Sequence, residues 1–181
     1  MVFQKTRSVL RNICLVILPI LGLYFLSSLE TGCNIYRFKD VSIPDSIKTV
    51  KVNFIENRAR YVNPQLSPKL TDRLRQKIVN QTRLSQTNKD NADWEISGMI
   101  TDYSVSTSGI SQQQVATNRL NVTVQITLFD RKRNEQQDPI TITKNFDFSA
   151  NLTLQAAEAQ LTDEMIRNLT DEIFNRLFSN W

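Results

Sequence analysis

Histidine is absent from this chain of 181 residues. The side chain that most often serves as general base and metal ligand is missing, and with it the Ser-His and Cys-His nucleophile pairs. Cysteine occurs twice, as Cys14 and Cys33. Only Cys33 lies beyond the apolar leader described below, so neither a disulfide framework nor a zinc cluster is expected after it. Glycine is scarce, with four residues, which argues against a fibrous or low-complexity chain. Charge of one sign is weak as well: 22 Lys and Arg against 18 Asp and Glu leave +4. Removing the leader takes away Lys5, Arg7, Arg11 and Glu30 and leaves +2, too little for a nucleic-acid binder, and no recognition motif is present. Carboxylates, lysines and tyrosines remain as catalytic options. The densest acidic group, Asp90, Asp93, Glu95 and Asp102, lies along a strand pattern whose alternating faces keep several of its members apart. No enzyme activity, cofactor or metal site is expected.

What is present begins with a basic start, Lys5, Arg7 and Arg11, followed by an apolar run from Ile13 to Leu26. The run is about 14 residues long, within the range of a signal-peptide core and short of the ~20 that span a bilayer. Pro19 and Gly22 weaken a stable spanning helix. The alternative is an uncleaved membrane anchor, extended through Ser27 and Ser28. Next comes Leu29-Glu30-Thr31-Gly32-Cys33, which resembles the bacterial lipobox: a small residue precedes a cysteine that is acylated and becomes amino-terminal. Glu30 stands where that pattern has an apolar residue. Cys33 is the expected lipidation site, and Asn34 after it is not the aspartate that retains some lipoproteins in the inner membrane. The expected organisation is a lipoprotein signal peptide over 1–32, an anchor and lead-in segment over 33–46, and an α/β domain over 47–181.

The mature chain alternates between strand and helix periods. Ile47 to Ile55 reads as a strand with Val50, Val52 and Phe54 on one face. Ser67-Pro68 reads as a helix start, with Leu70, Leu74 and Ile78 forming its apolar stripe. Arg73, Arg75, Lys77 and Arg83 surround that stripe as a solvated face or a contact for an anionic partner. Ala92 to Val105 reads as a strand whose core face carries Trp94, Ile96 and Ile100. Tyr103 and Val105 have the opposite parity, and a bulge near Gly98 or Asp102 would return them to the core. Thr107 to Ala116 reads as a hairpin connection. Asn118 to Phe129 is the clearest strand, with Leu120, Val122, Val124, Ile126 and Leu128 facing one way. A charged turn with Arg131-Lys132-Arg133 leads to the strand Ile140 to Phe148, in which Lys144 interrupts the apolar series and is expected to reach solvent at an edge. Leu154 to Leu177 reads as a helix with Leu161, Met165, Leu169, Ile173 and Leu177 stepping by four. Its pair Asp163 and Arg167 is worth a few tenths of a kcal/mol. Burial of its large apolar side chains, at about 1.5–3 kcal/mol each, far exceeds that.

The order strand-helix-strand-strand-strand-helix predicts an α+β two-layer sandwich. A four-stranded mixed sheet carries both helices on one face, as βαβββα, with the first strand parallel to the second. The other face is left polar, rich in threonine, asparagine and glutamine. It either meets water or docks on a partner, and uncharged polar groups are less costly to desolvate than charges.

Gly32-Cys33-Asn34-Ile35-Tyr36, Ile47-Lys48-Thr49-Val50-Lys51-Val52 with Asn57, the Leu66 to Leu84 helix, Asp93-Trp94-Glu95-Ile96-Ser97-Gly98-Met99-Ile100-Thr101-Asp102-Tyr103 and Asn118-Arg119-Leu120-Asn121-Val122 together make the chain resemble the LptE family from Cys33 to Phe178. These are outer-membrane lipoproteins that partner the barrel LptD in lipopolysaccharide assembly. The resemblance implies a non-enzymatic plug that sits in an LptD-like barrel, helps it fold and contacts lipopolysaccharide. It supplies no binding residue. From the residues themselves, Arg131, Lys132 and Arg133 are the candidates for lipopolysaccharide phosphates, with a solvated turn as the alternative. The competing reading is another envelope lipoprotein, a pilot for a secretin or a scaffold for a cell-wall machine. Cys33→Ser should leave the protein unprocessed and mislocalised; mature mass and retention after alkaline extraction are the readouts, and normal values for both would remove lipidation.

Overall fold

The computed structural model describes residues 43–111 and 114–178. The leader, Cys33 and the lead-in segment as far as residue 42 lie outside the described residues. The elements run in the order β1 (Thr49–Val52), β2 (Glu56–Asn57), α1 (Leu66–Gln81), β3 (Ser85–Gln86), β4 (Trp94–Ser111), β5 (Gln114–Asp130), β6 (Glu135–Gln136), β7 (Ile140–Ser149) and α2 (Leu154–Phe178). β1 is parallel to β4, and β4, β5 and β7 form an antiparallel meander. The α+β architecture is as the sequence predicts. The sheet, however, has seven strands rather than four, because three two-residue strands join the four expected ones. β2 continues beside β4, β3 pairs parallel with the outer edge of β1, and β6 pairs antiparallel with the last two residues of β5.

β5 is the centre of the sheet. Leu120, Val122, Val124, Ile126 and Leu128 are all buried, and Asn121, Thr123, Gln125 and Thr127 are only half-buried on the opposite face. Period-two alternation is the pattern of a sheet covered on one side. Ile142, Phe146 and Phe148 of β7 and Leu70, Leu74, Ile78, Met165, Leu169 and Ile173 of the helices join the same core. Gly98 faces Ile126 across the β4–β5 ladder, and a Cβ there would lie 2.6 Å from the Ile126 Cδ1 atom. The absence of a side chain lets Ile126 lie over the β4 backbone.

Two irregularities keep apolar residues on the core side. In β4 the pairing with β5 skips a residue between Ile100 and Asp102. This is the bulge the parity of Tyr103 requires, and Tyr103 is 3% exposed. Val105 follows it onto the side of Leu120 but remains exposed. The second irregularity is not evident in the sequence. Val52 pairs with Ile96 while Glu56 pairs with Met99, so the β1–β2 lane holds one residue more than β4. The extra residue reverses parity: Ile55 is 1% exposed and Phe54, read as a core residue, is 53% exposed.

Helix and loop boundaries also shift. α1 begins at Leu66, ahead of Ser67-Pro68, and Ser67 does not cap it. Asn63 does the local work instead: its side-chain oxygen accepts from the Gln65 N–H at 2.9 Å and its carbonyl from Leu66 N–H at 3.4 Å. An Asn-Pro dipeptide favours such a turn. Thr107 to Ala116, read as a connection, is mostly ladder, and the hairpin closes between Ser111 and Gln114. The Lys144 amine meets Glu172 of α2 at 2.8 Å rather than water alone. Asp163 and Arg167 do not figure among the ion pairs of the described residues; the pair that joins the helices is Lys77–Asp171, at 2.6 Å. Among the described residues no helix is long and apolar enough to cross a membrane.

The parity reversal has a direct consequence. Ile55→Ala should lower the unfolding free energy by about 2–5 kcal/mol, and Phe54→Ala by no more than about 0.5 kcal/mol, read by urea denaturation. The reverse order would restore the uninterrupted strand.

Candidate functional site

The turn after β5 is built around Asp130, 6% exposed. Its carboxylate accepts from the backbone N–H groups of Lys132 and Arg133 at 3.0 and 3.2 Å, and Asn134 completes the turn with φ 52°. These contacts bring Arg131, Lys132 and Arg133 together at one end of the sheet. Their side chains then diverge. The Arg131 guanidinium donates to the Ala92 carbonyl at 3.1 Å and to Glu95 at 3.1 Å, and lies 5.5 Å from the Phe129 ring centre. The Lys132 amine donates to the Ser46 carbonyl and sits 3.4 Å from Asp93. Among the ion pairs of the described residues Arg133 has Asp130 alone, at 3.9 Å, and its side chain is 67% exposed. Two of the three cations therefore fasten the turn to β4 and to the segment ahead of β1, while Arg133 points its charge outward.

The acidic residues left without a role by the sequence are the partners of these cations. Trp94 pairs with Asp130 in the β4–β5 ladder, which sets Asp93 and Glu95 beside the turn. Lys51 holds Asp90 at 2.7 Å and Glu95 at 3.8 Å. Part of the group thus does gather, each carboxylate against a cation, and Asp102 lies far along the strand. Asp93 is the centre of the cluster. Its Oδ2 accepts from the N–H groups of Lys48 and Thr49 at 2.8 and 2.9 Å and from the Thr49 hydroxyl at 3.1 Å. Burial pushes the Asp93 carboxyl up, but these donors and the Lys132 amine outweigh it and hold it below the ordinary carboxylate value. No local sequence pattern signals these partners; they follow from the β4–β5 register. Of the cations on α1 and just after it, Arg75 donates to the Val52 carbonyl, Lys77 holds Asp171 and Arg83 holds Asp45 at 2.6 Å. Arg73 remains on the exposed face.

The second feature is the sheet face turned away from the helices. Its centre is mostly uncharged: Asn121, Thr123, Gln125, Thr127, Thr141, Thr143 and Asn145, with the Thr123 and Thr143 hydroxyls 3.0 Å apart. Exposed Asp102, opposite Thr123 and hydrogen-bonded to the Ser104 hydroxyl, puts one carboxylate among them. Other charges lie toward the margin, where Arg119 and Asp147 form a two-pronged pair at 2.7 and 2.8 Å. Near β2 the face carries a shallow cleft of about 370 Å³ lined by Phe54, Met99, Gln125 and Thr127 among others.

Residues 47–177 match the LptE family model, described as lipopolysaccharide-assembly. No curated protein matches the chain. Among solved structures, a lipoprotein B from Nitrosomonas europaea is similar with a TM-score of 0.51 and 19% identity, over 82% of this chain and 92% of that one. A minor lipoprotein from Acinetobacter baumannii has a TM-score of 0.49 and 17% identity, over 73% of this chain and 93% of that one. At such identity the likeness to the first concerns the fold alone.

Asp93→Ala should cost about 2 kcal/mol at neutral pH, because two backbone N–H groups and a hydroxyl lose a charged acceptor. The folded carboxyl titrates below its ordinary value of 3.8. Its contribution is therefore complete above that pH and disappears as the pH falls through the lower folded value. Urea unfolding of both proteins between neutral pH and pH 3 should show the gap closing; a constant gap would assign Asp93 a role independent of charge.

Proposed function

Because the chain belongs to the LptE family of lipopolysaccharide-assembly lipoproteins, we propose that it plugs and helps assemble an LptD-like barrel that carries lipopolysaccharide to the cell surface. In this reading Cys33 bears the acyl anchor at the outer membrane, and the domain works from the periplasmic side or within the barrel lumen. It acts by docking and holding, without catalysis, nucleic acid or cofactor.

The observation that carries the reading is the match across nearly the whole folded domain, 47–177. The mostly uncharged centre of the open sheet face supports it. A face of hydroxyls and amides can exchange water for the wall of a host protein at little cost in charge desolvation, with Asp102 the carboxylate such a wall would have to meet or leave wet. The basic turn is the proposed lipopolysaccharide contact, with Arg133 as the leading cation and Arg131 and Lys132 setting its position. Guanidinium groups match phosphate oxygens in pairs.

Depletion of the protein should lower surface lipopolysaccharide and folded barrel together. Loss of neither would reject the reading. Co-purification from detergent-solubilised outer membrane separates it from the alternative of a pilot or scaffold: a secretin or cell-wall enzyme in place of the barrel would favour that alternative. Arg133→Gln leaves the turn's main contacts in place and should weaken lipopolysaccharide binding in vitro; unchanged affinity in a folded protein with all three cations replaced by glutamine would dismiss the turn.

A further inference from the structure

Beside the first turns of α2 lies a cavity of about 540 Å³, whose lining includes Tyr61, Pro64, Lys69, Glu158, Ala159 and Asp163. Glu158 is 9% exposed. The Tyr103 hydroxyl donates to its Oε1 at 2.7 Å and the Tyr61 hydroxyl to its Oε2 at 3.3 Å. The two tyrosine rings stack with centres 5.5 Å apart. Burial, together with the neighbouring Glu158, pushes the Tyr103 phenol up, so it remains a proton donor.

What sets Glu158 apart is charge. The other acids that lie against the fold have a cation: Asp93 has Lys132, Glu95 has Lys51 and Arg131, Asp130 has Arg133, and Glu172 has Lys144 and Arg176. Glu158 has none among the ion pairs of the described residues, and neither has Asp163 on the same lining. The lysine in the lining, Lys69, donates to Gln65 at 3.0 Å on its own helix. A buried carboxylate without a counter-ion is costly, and two phenols supply only dipoles. The more weakly satisfied oxygen, Oε2, is the one held by Tyr61, the more exposed tyrosine. Tyr61, Pro64 and Ala159 give the cavity an apolar side against which an alkyl stem can lie.

We propose that this cavity receives the cationic end of an alkyl chain: an arginine or lysine side chain presented by a partner polypeptide, or a free polyamine of the same chemistry. The charge meets Glu158 and Asp163, and the stem lies along the Tyr61 ring, whose π face also favours a cation. The proposal stands independently of the reading of the family's role, because it rests on the cavity and its charges alone.

The test is calorimetric titration of the full chain in non-ionic detergent micelles at low salt, with N-acetyl-arginine amide and, separately, spermidine, while the near-ultraviolet tyrosine spectrum is followed. Saturable binding with a tyrosine change is expected, weakened about tenfold or more in Glu158→Gln. Asp163→Asn, at an exposed helix position, should weaken binding several-fold and provides the comparison if Glu158→Gln does not fold. Saturation by the arginine derivative identifies a partner side chain as the source; saturation by spermidine alone identifies a free polyamine. No saturable tyrosine change with either probe, or the same affinity in the folded variants, would overturn the proposal.

Discussion

The pairing of β5 with a neighbour on each side, under one layer of helix, is the constraint from which the other features follow. Its five inward residues from Leu120 to Leu128 are at most 2% exposed. Because the side-chain period of a strand is two, a slip by one residue would turn all five to the opposite face. β4 and β7 must therefore take fixed registers against β5, and two of the deviations in the sheet can be understood as protecting the core face that this register sets. The skipped residue at Thr101 returns Tyr103 to the core, and the extra residue in the β1–β2 lane returns Ile55. Gly98 allows Ile126 to cross over the backbone without displacing either strand.

One-sided burial also shapes what the molecule can do. The helices satisfy one face of the sheet, so the other must be compatible with water and with any partner. Threonine hydroxyls and amides are suited to both. The ion pairs are placed accordingly. Arg119–Asp147 lies toward one end of the face and the Lys51, Arg131 and Lys132 cluster at the other. Exposed pairs of this kind add little stability individually. In the cluster, however, the carboxylate of Asp93 also holds backbone N–H groups at the start of β1, so charge and chain geometry are coupled there.

The sequence made the alternating strands, the stripes of both helices and the bulge ahead of Tyr103 legible, because each depends on periodicity over many residues. It also put the three turn cations in one place. It concealed the parity change at Phe54 and Ile55, since both residues are apolar and a one-residue insertion leaves no compositional mark. Ser67-Pro68 was a persuasive helix start, but Asn63-Pro64 made the turn that precedes it. The length of the β4–β5 hairpin was hidden because Thr107 to Ala116 is too polar to reveal a face. The partners of Arg131 and Lys132 depended on β4 meeting β5, and no local pattern records that. Glu158 was invisible for the same reason: its tyrosines come from a loop and a strand distant in the chain.

The register also orients the domain along its long axis. The segment ahead of β1 enters at the end where Lys132 touches Ser46 and Trp94 faces Asp130. The β4–β5 hairpin runs from that end toward its closure between Ser111 and Gln114. At ~3.3 Å per residue, the 18 residues of β4 carry the hairpin roughly 55 Å from that end. Under the proposed acylation at Cys33, nine residues lie between the anchor and buried Ile43, a reach of at most ~35 Å. The basic turn lies at the end of the domain where the chain enters, and the hairpin closes at the other end. The phosphate contact proposed at Arg133 would fall at that entry end, whereas the mostly uncharged sheet face runs between the two ends. The two proposed contacts therefore use separate parts of the domain, so that neither would block the other.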